Sequence, residues 1–67
     1  MTATPKLSQR QALCLKWSSE GKTMDEIAEI LEITKQSVRF HLDEARAKLD
    51  AVNLIQASSM ASRNHLI

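Results

Sequence analysis

Apolar residues recur along this chain at spacings of three and four, while alternating apolar and polar runs are almost absent, so the pattern predicts helices and no hairpin. Short polar residues punctuate it. Ser8 to Gln11 has the S-x-x-Q form of a capping box, in which the serine oxygen accepts from a free backbone N–H and the glutamine reaches back. A first helix over about residues 9–20 follows, with Ala12, Leu13, Cys14, Leu15 and Trp17 as a broad buried face and Gly21 able to close it in a left-handed conformation. Thr23 to Glu26 repeats the box and places Asp25 and Glu26 where the helix dipole favours acids, ahead of Ile27, Ala28, Ile30 and Leu31 in a short second helix. Thr34 can cap a third helix over about 35–49, whose apolar positions are Val38, Leu42, Ala45 and Leu49. Asn53 to Gln56 resembles a capping box again and opens a fourth helix over about 54–63, with Ala57, Met60 and Ala61 at helical spacing and Asn64 as a left-handed stop.

The chain is 67 residues long, enough for one domain with a modest core. It is 43% hydrophobic and 25% charged, and it has no apolar run near the roughly 18–20 residues that a membrane span needs. Met1 to Lys6 lacks the apolar stretch and cleavage site of a secretory signal, which points to the cytoplasm. Its polar, proline-containing character reads as a linker or disordered segment over 1–6. Cys14 is the only cysteine and lies among periodic apolar residues, so it is expected as a small buried hydrophobe. His41 and His65 have no paired cysteine or carboxylate at ligand spacing, and neither a metal nor a cofactor is predicted. No nucleophile and base are arranged for catalysis, and the chain is not expected to be an enzyme.

A net charge of +1 conceals an uneven distribution. Lys6, Arg10 and Lys16 stand in residues 1–19 without an acid, whereas Glu20, Asp25, Glu26, Glu29 and Glu32 outweigh Lys22 in residues 20–32. A domain can touch DNA with one face and stay acidic on another, because phosphate attraction fades over a Debye length of about 8 Å at physiological salt.

The second and third helices are separated by a connection short enough for a helix-turn-helix, in which the second helix of the pair enters the major groove. Between the apolar positions of the third helix, Lys35, Gln36, Ser37, Arg39, Phe40 and Asp43 project outward or along the border of the core. Arg39 suits bidentate bonding to guanine O6 and N7, and Lys35, Gln36 and Ser37 can hold phosphates at the helix start. Phe40 has two readings, core packing and contact with a thymine methyl. Asp43 has three: repelling phosphates, accepting from cytosine N4, or orienting Arg39 one turn away.

Leu7-Ser8-x-Arg10, Trp17, Gly21-Lys22-Thr23, Glu26-Ile27-Ala28, Leu31-x-Ile33-Thr34, Ser37-Val38, His41 and Lys48-Leu49 together resemble the LuxR-type helix-turn-helix. The resemblance covers about residues 7–67 and extends through Asn53-x-x-Gln56-Ala57 to Leu66-Ile67. It implies an all-α, four-helix domain that binds double-stranded DNA to regulate transcription, as a two-fold dimer on an inverted repeat. Arg39, Phe40 and Asp43 would face bases, and Lys22, Thr34, Gln36 and Ser37 the DNA backbone, to which Lys35 and Arg46 are added as further backbone contacts from this sequence itself. The fourth helix would meet its twin through Ile55, Ser59, Met60 and Arg63. Members of the family usually carry this module behind an acyl-homoserine-lactone-binding or receiver domain, so the chain is read as the output part of a quorum-sensing regulator or as a stand-alone member. Three positions depart from the usual pattern: Asp43, where a basic residue is common, Leu54, where arginine is, and Glu32, where glycine is.

Two other readings fit the sequence. Ala45-Arg46-Ala47-Lys48-Leu49 also resembles the end of a sigma factor's promoter reader, which would need no capped helix afterwards. A protein-interaction module on the same fold would use Ile55, Met60, Leu66 and Ile67 as an apolar patch.

Overall fold

A computed structural model describes residues 6–67; the expected linker falls almost wholly outside them. The chain folds as four helices without a strand among the described residues: α1 (Gln9–Ser19), α2 (Met24–Leu31), α3 (Lys35–Lys48) and α4 (Leu54–Arg63). Polar caps start each of them. Ser8 accepts from Gln11 N–H at 3.1 Å while Gln11 Oε1 accepts from Ser8 N–H at 2.9 Å, and Thr23 and Glu26 repeat the exchange at 3.1 and 2.8 Å. Thr34 accepts from Ser37 N–H at the start of α3. At α4 the reciprocal bond differs from the expected box. Asn53 accepts from Gln56 N–H, but Gln56 Oε1 accepts from Val52 N–H at 2.7 Å, one residue before the cap.

The helix ends share one device, and the sequence announces only the first of them. Past α1, Gly21 takes φ +90°, and Lys22 N–H donates to Trp17 carbonyl while Gly21 N–H donates to Ser18 carbonyl. This is the Schellman arrangement, which satisfies two of the carbonyls a helix end leaves open. Glu32 (φ 56°), Asp50 (φ 53°) and His65 (φ 57°) do the same after α2, α3 and α4, with the longer bonds running from Ile33, Ala51 and Leu66 to the carbonyls of Ala28, Arg46 and Ala61. Asn64, expected as the left-handed stop, has φ −97° instead; its Nδ2 donates to the Met60 carbonyl and the left-handed turn falls on His65.

α1 and α3 form the centre, and α2 and α4 each pack on both of them without touching one another among the described residues. Cys14 and Leu15 from α1, Ile27 from α2, and Val38, Leu42 and Ala45 from α3 are buried with Leu49, Ala51, Ala57 and Ala61. The α4 contribution is two alanines, which lets that helix sit close against the pair. Trp17, expected on the buried face of α1, is half-buried at its edge, as are Leu13 and Ala12. Ile30 points further out than its helical spacing suggested, at 44% exposed. No helix among the described residues is long and apolar enough to cross a membrane.

Burial pushes the Cys14 thiol above its ordinary pKa, against a smaller opposite pull from Arg10, so it remains a protonated core side chain.

Candidate nucleic-acid interface

Three residues join α2 to α3, and every one of them is committed to holding the turn. Glu32 closes α2 in the left-handed conformation, Ile33 packs against the core, and Thr34 caps α3. The Thr34 hydroxyl accepts from Ser37 N–H at 3.0 Å and donates to Ser37 Oγ at 2.9 Å, which leaves the Ser37 hydroxyl hydrogen free to donate outward. The start of α3 therefore presents unpaired backbone N–H groups and a hydroxyl on a rigid support, a setting that welcomes an anion.

With about 100° between successive helical residues, Val38, Leu42, Ala45 and Leu49 face inward, which turns Gln36, Phe40 and Asp43 directly outward. Lys35, Arg39 and Arg46 form a basic edge beside them. Lys35, Gln36, Arg39, Phe40 and Asp43 are all exposed, and Ser37 is half-buried. Phe40 is 60% exposed, which overturns its reading as a core residue; its ring meets His41 edge to face, with centroids 5.8 Å apart. Arg39 and Asp43 share the outward side but are not ion-paired, since the one ion pair among the described residues joins Lys35 to Asp25 at 3.6 Å. Asp43 does not hold Arg39 in this structure.

The remaining backbone candidates are less free. Arg46 is half-buried and its Nη1 donates to the Ala51 carbonyl at 3.2 Å, tying the end of α3 to the loop before α4. Lys22 is exposed but lines a shallow groove with Glu26, Glu29 and Ile30, beside two carboxylates. Hydrogen bonds from the Thr23 backbone and hydroxyl hold the Glu26 carboxyl below its ordinary pKa. Its contribution to folding is present above the ordinary carboxylate range and fades as pH falls through the lowered value.

The outward side of α4 is of another kind. Ile55 is 83% exposed and Val52, just before the helix, is 80% exposed; Ser59 and Arg63 continue along the same side. Met60, expected beside them, is half-buried against the chain's own core. Leu66 and Ile67 are half-buried there too, so of the apolar patch expected of Ile55, Met60, Leu66 and Ile67 only Ile55 stands fully exposed. Sequence reasoning missed Val52, whose position directly before the Asn53 cap was the available signal, and it missed Asp25 as the partner of Lys35.

These elements fit a recognised family. The model of GerE, bacterial regulatory proteins of the luxR family, matches residues 5–61. The chain belongs to that family. It is 46% identical over 56 residues to the quorum sensing-dependent transcriptional regulator RpaR of Rhodopseudomonas palustris, an alignment covering 84% of this chain and 23% of the relative. It is 47% identical over 51 residues to the transcriptional activator AhyR of Aeromonas hydrophila, covering 76% and 20%. Over all 67 residues it is 39% identical to the regulatory protein SdiA of Escherichia coli, of which it spans 28%. A crystal structure of E. coli SdiA superposes with a TM-score of 0.89, covering 100% of this chain and 28% of that one. The chain thus spans 20–28% of the length of these relatives.

Proposed function

We propose that this luxR-family chain binds double-stranded DNA with sequence preference and so regulates transcription, with α3 in the major groove. The observation that carries the reading is the outward side of α3, where Arg39, Phe40 and Asp43 stand exposed on a helix whose opposite side is locked into the core. Each has a base-edge partner by chemistry: Arg39 for guanine O6 and N7, Phe40 for a thymine methyl, Asp43 for cytosine N4. Lys35, Gln36 and Ser37 take phosphates at the helix start, with Thr34 holding the turn and Lys22 and Arg46 at the flanks. Two copies meet through α4, with Ile55 and Val52 at the centre of contact and Ser59, Met60 and Arg63 around it, which gives an inverted-repeat site. Residues 7–67 are the DNA-binding domain and 1–6 a linker to it. The names of RpaR, a quorum sensing-dependent regulator, and AhyR, a transcriptional activator, support a role in quorum-sensing control of transcription, which this chain would fill as an output part in the cytoplasm beside a sensing domain.

Selection of bound sites from a random duplex pool, at two salt concentrations, tests this by separating phosphate attraction from base reading. An enriched inverted repeat is the expected result. One asymmetric element would refute the two-fold arrangement, and no enrichment with no salt-sensitive binding would refute DNA recognition and leave protein interaction as the role of the fold.

A further inference from the structure

A cation in the first turn of a helix stands at the positive end of the helix dipole, where it gains nothing from the helix itself. Lys35 occupies that first position in α3. What it gains instead is Asp25, in the first turn of α2, whose Oδ2 lies 3.6 Å from its Nζ. Both side chains are largely in water, at 61% and 76% exposed, so the pair is weak as a brace and open to exchange. The fold has little need of it. Glu26 already provides a first-turn acid to α2 and closes its capping box.

A phosphate approaching the start of α3 meets this arrangement in an unfavourable state. The Lys35 ammonium cannot donate to the phosphate while keeping Asp25 close without gathering two anions around one cation. Resting on the DNA reading above, we propose that Asp25 competes with DNA phosphate for Lys35 and thereby lowers the sequence-independent part of the chain's DNA affinity. On binding, Lys35 leaves Asp25, and the freed carboxylate gathers a cation from solution. That recovers part of what the released phosphate counterions contribute, so the salt dependence of the wild-type chain is shallower than its number of phosphate contacts implies.

The test is a double-mutant cycle on a random-sequence duplex, titrated with the 67-residue chain at several salt concentrations: wild type, Asp25→Asn, Lys35→Gln and the double variant. Asp25→Asn is expected to tighten binding about 1.4- to fivefold at low salt, the range of an exposed pair. It should also steepen the slope of log affinity against log salt by up to about one. In the Lys35→Gln background the gain should vanish. Glu20→Gln, which removes an exposed acid at the end of α1 outside the proposed contacts, measures the effect of charge alone and should fall short of Asp25→Asn. Thermal melting of each variant separates changes in binding from changes in folding. An equal gain with and without Lys35, or no gain at all, overturns the proposal while leaving DNA binding intact. Failure of the wild-type chain to bind any duplex overturns the DNA reading, and this proposal with it.

Discussion

α3 and α4 are built alike and finished differently. Each begins at a polar cap that accepts from the backbone three residues on, and each ends in a left-handed residue that closes a Schellman motif. Each lays one side against α1. Outward, however, α3 carries Lys35, Gln36, Arg39 and Asp43 around one aromatic ring, whereas α4 carries Ile55, with Val52 just before its cap and a serine and an arginine behind them. Charged and hydrogen-bonding groups with a flat apolar member match the edges and phosphates of a duplex. Large aliphatic side chains left in water match another apolar surface, and a second copy supplies one by symmetry. What folds the two helices is common to both, so the different roles proposed for them reside in side chains that folding does not use.

The most damaging change should strike what they share. Leu42 is 1% exposed at the centre of the core, and Leu42→Ala is expected to cost about 2–5 kcal/mol, much of what a domain this small possesses. Denaturant unfolding measures it, and DNA binding and self-association should be lost together. A cost below about 1 kcal/mol would mean that α3 is not anchored there.

Next come changes confined to one side. Arg39→Ala should leave unfolding unaltered and cost about 1–3 kcal/mol on the selected site, with much less effect on random duplexes. Equal losses on both would remove Arg39 from base reading. Ile55→Ser should have the complementary profile. Its side chain is already in water, so folding changes by less than about 0.5 kcal/mol, while association of two copies loses about 1 kcal/mol per copy from reduced apolar burial. Binding to one half-site should be untouched and cooperativity on the inverted repeat reduced. A weakened half-site would place Ile55 on the DNA side and collapse the contrast.

Helix starts were legible in the sequence because a cap and its partner lie three residues apart, within one turn of chain. The buried side of α3 was legible too, since Val38, Leu42, Ala45 and Leu49 keep helical spacing and all lie in the core. The left-handed residues that close the helices were legible only at Gly21: Glu32 is of a type that seldom adopts that conformation, and Asp50 and His65, whose types adopt it more readily, are marked by no local pattern. Exposure of Ile30, Phe40 and Val52 was hidden for a related reason: spacing says that an apolar residue can be buried, and only the placement of neighbouring helices decides whether it is. Asp25 and Lys35 meet across the turn, a distance no local pattern encodes.

The smallest expected effect concerns the turn before α3, where Glu32 is the counterpart of Asp50 in the turn before α4. Glu32 holds φ 56° with a side chain attached, a conformation that costs an ordinary L-residue about 1–2 kcal/mol. Glycine at that position relieves the strain but gives the unfolded chain more freedom, which returns about 0.4–1 kcal/mol. Glu32→Gly should therefore stabilise the chain by between about 0 and 1.6 kcal/mol, raising the melting temperature by about 4–8 °C for each kcal/mol gained. The mirror experiment is Gly21→Ala, at φ +90° with no atom within 4 Å of an added Cβ, where only backbone strain opposes the change and melting should fall. Since Glu32 also carries a negative charge into the approach to α3, its removal should tighten binding to every duplex slightly, whereas association through α4 should not change. If Glu32→Gly instead weakened DNA binding while raising the melting temperature, the strained turn would itself be setting the angle of α3, and the support for the DNA-facing side could no longer be treated as equivalent to that of α4.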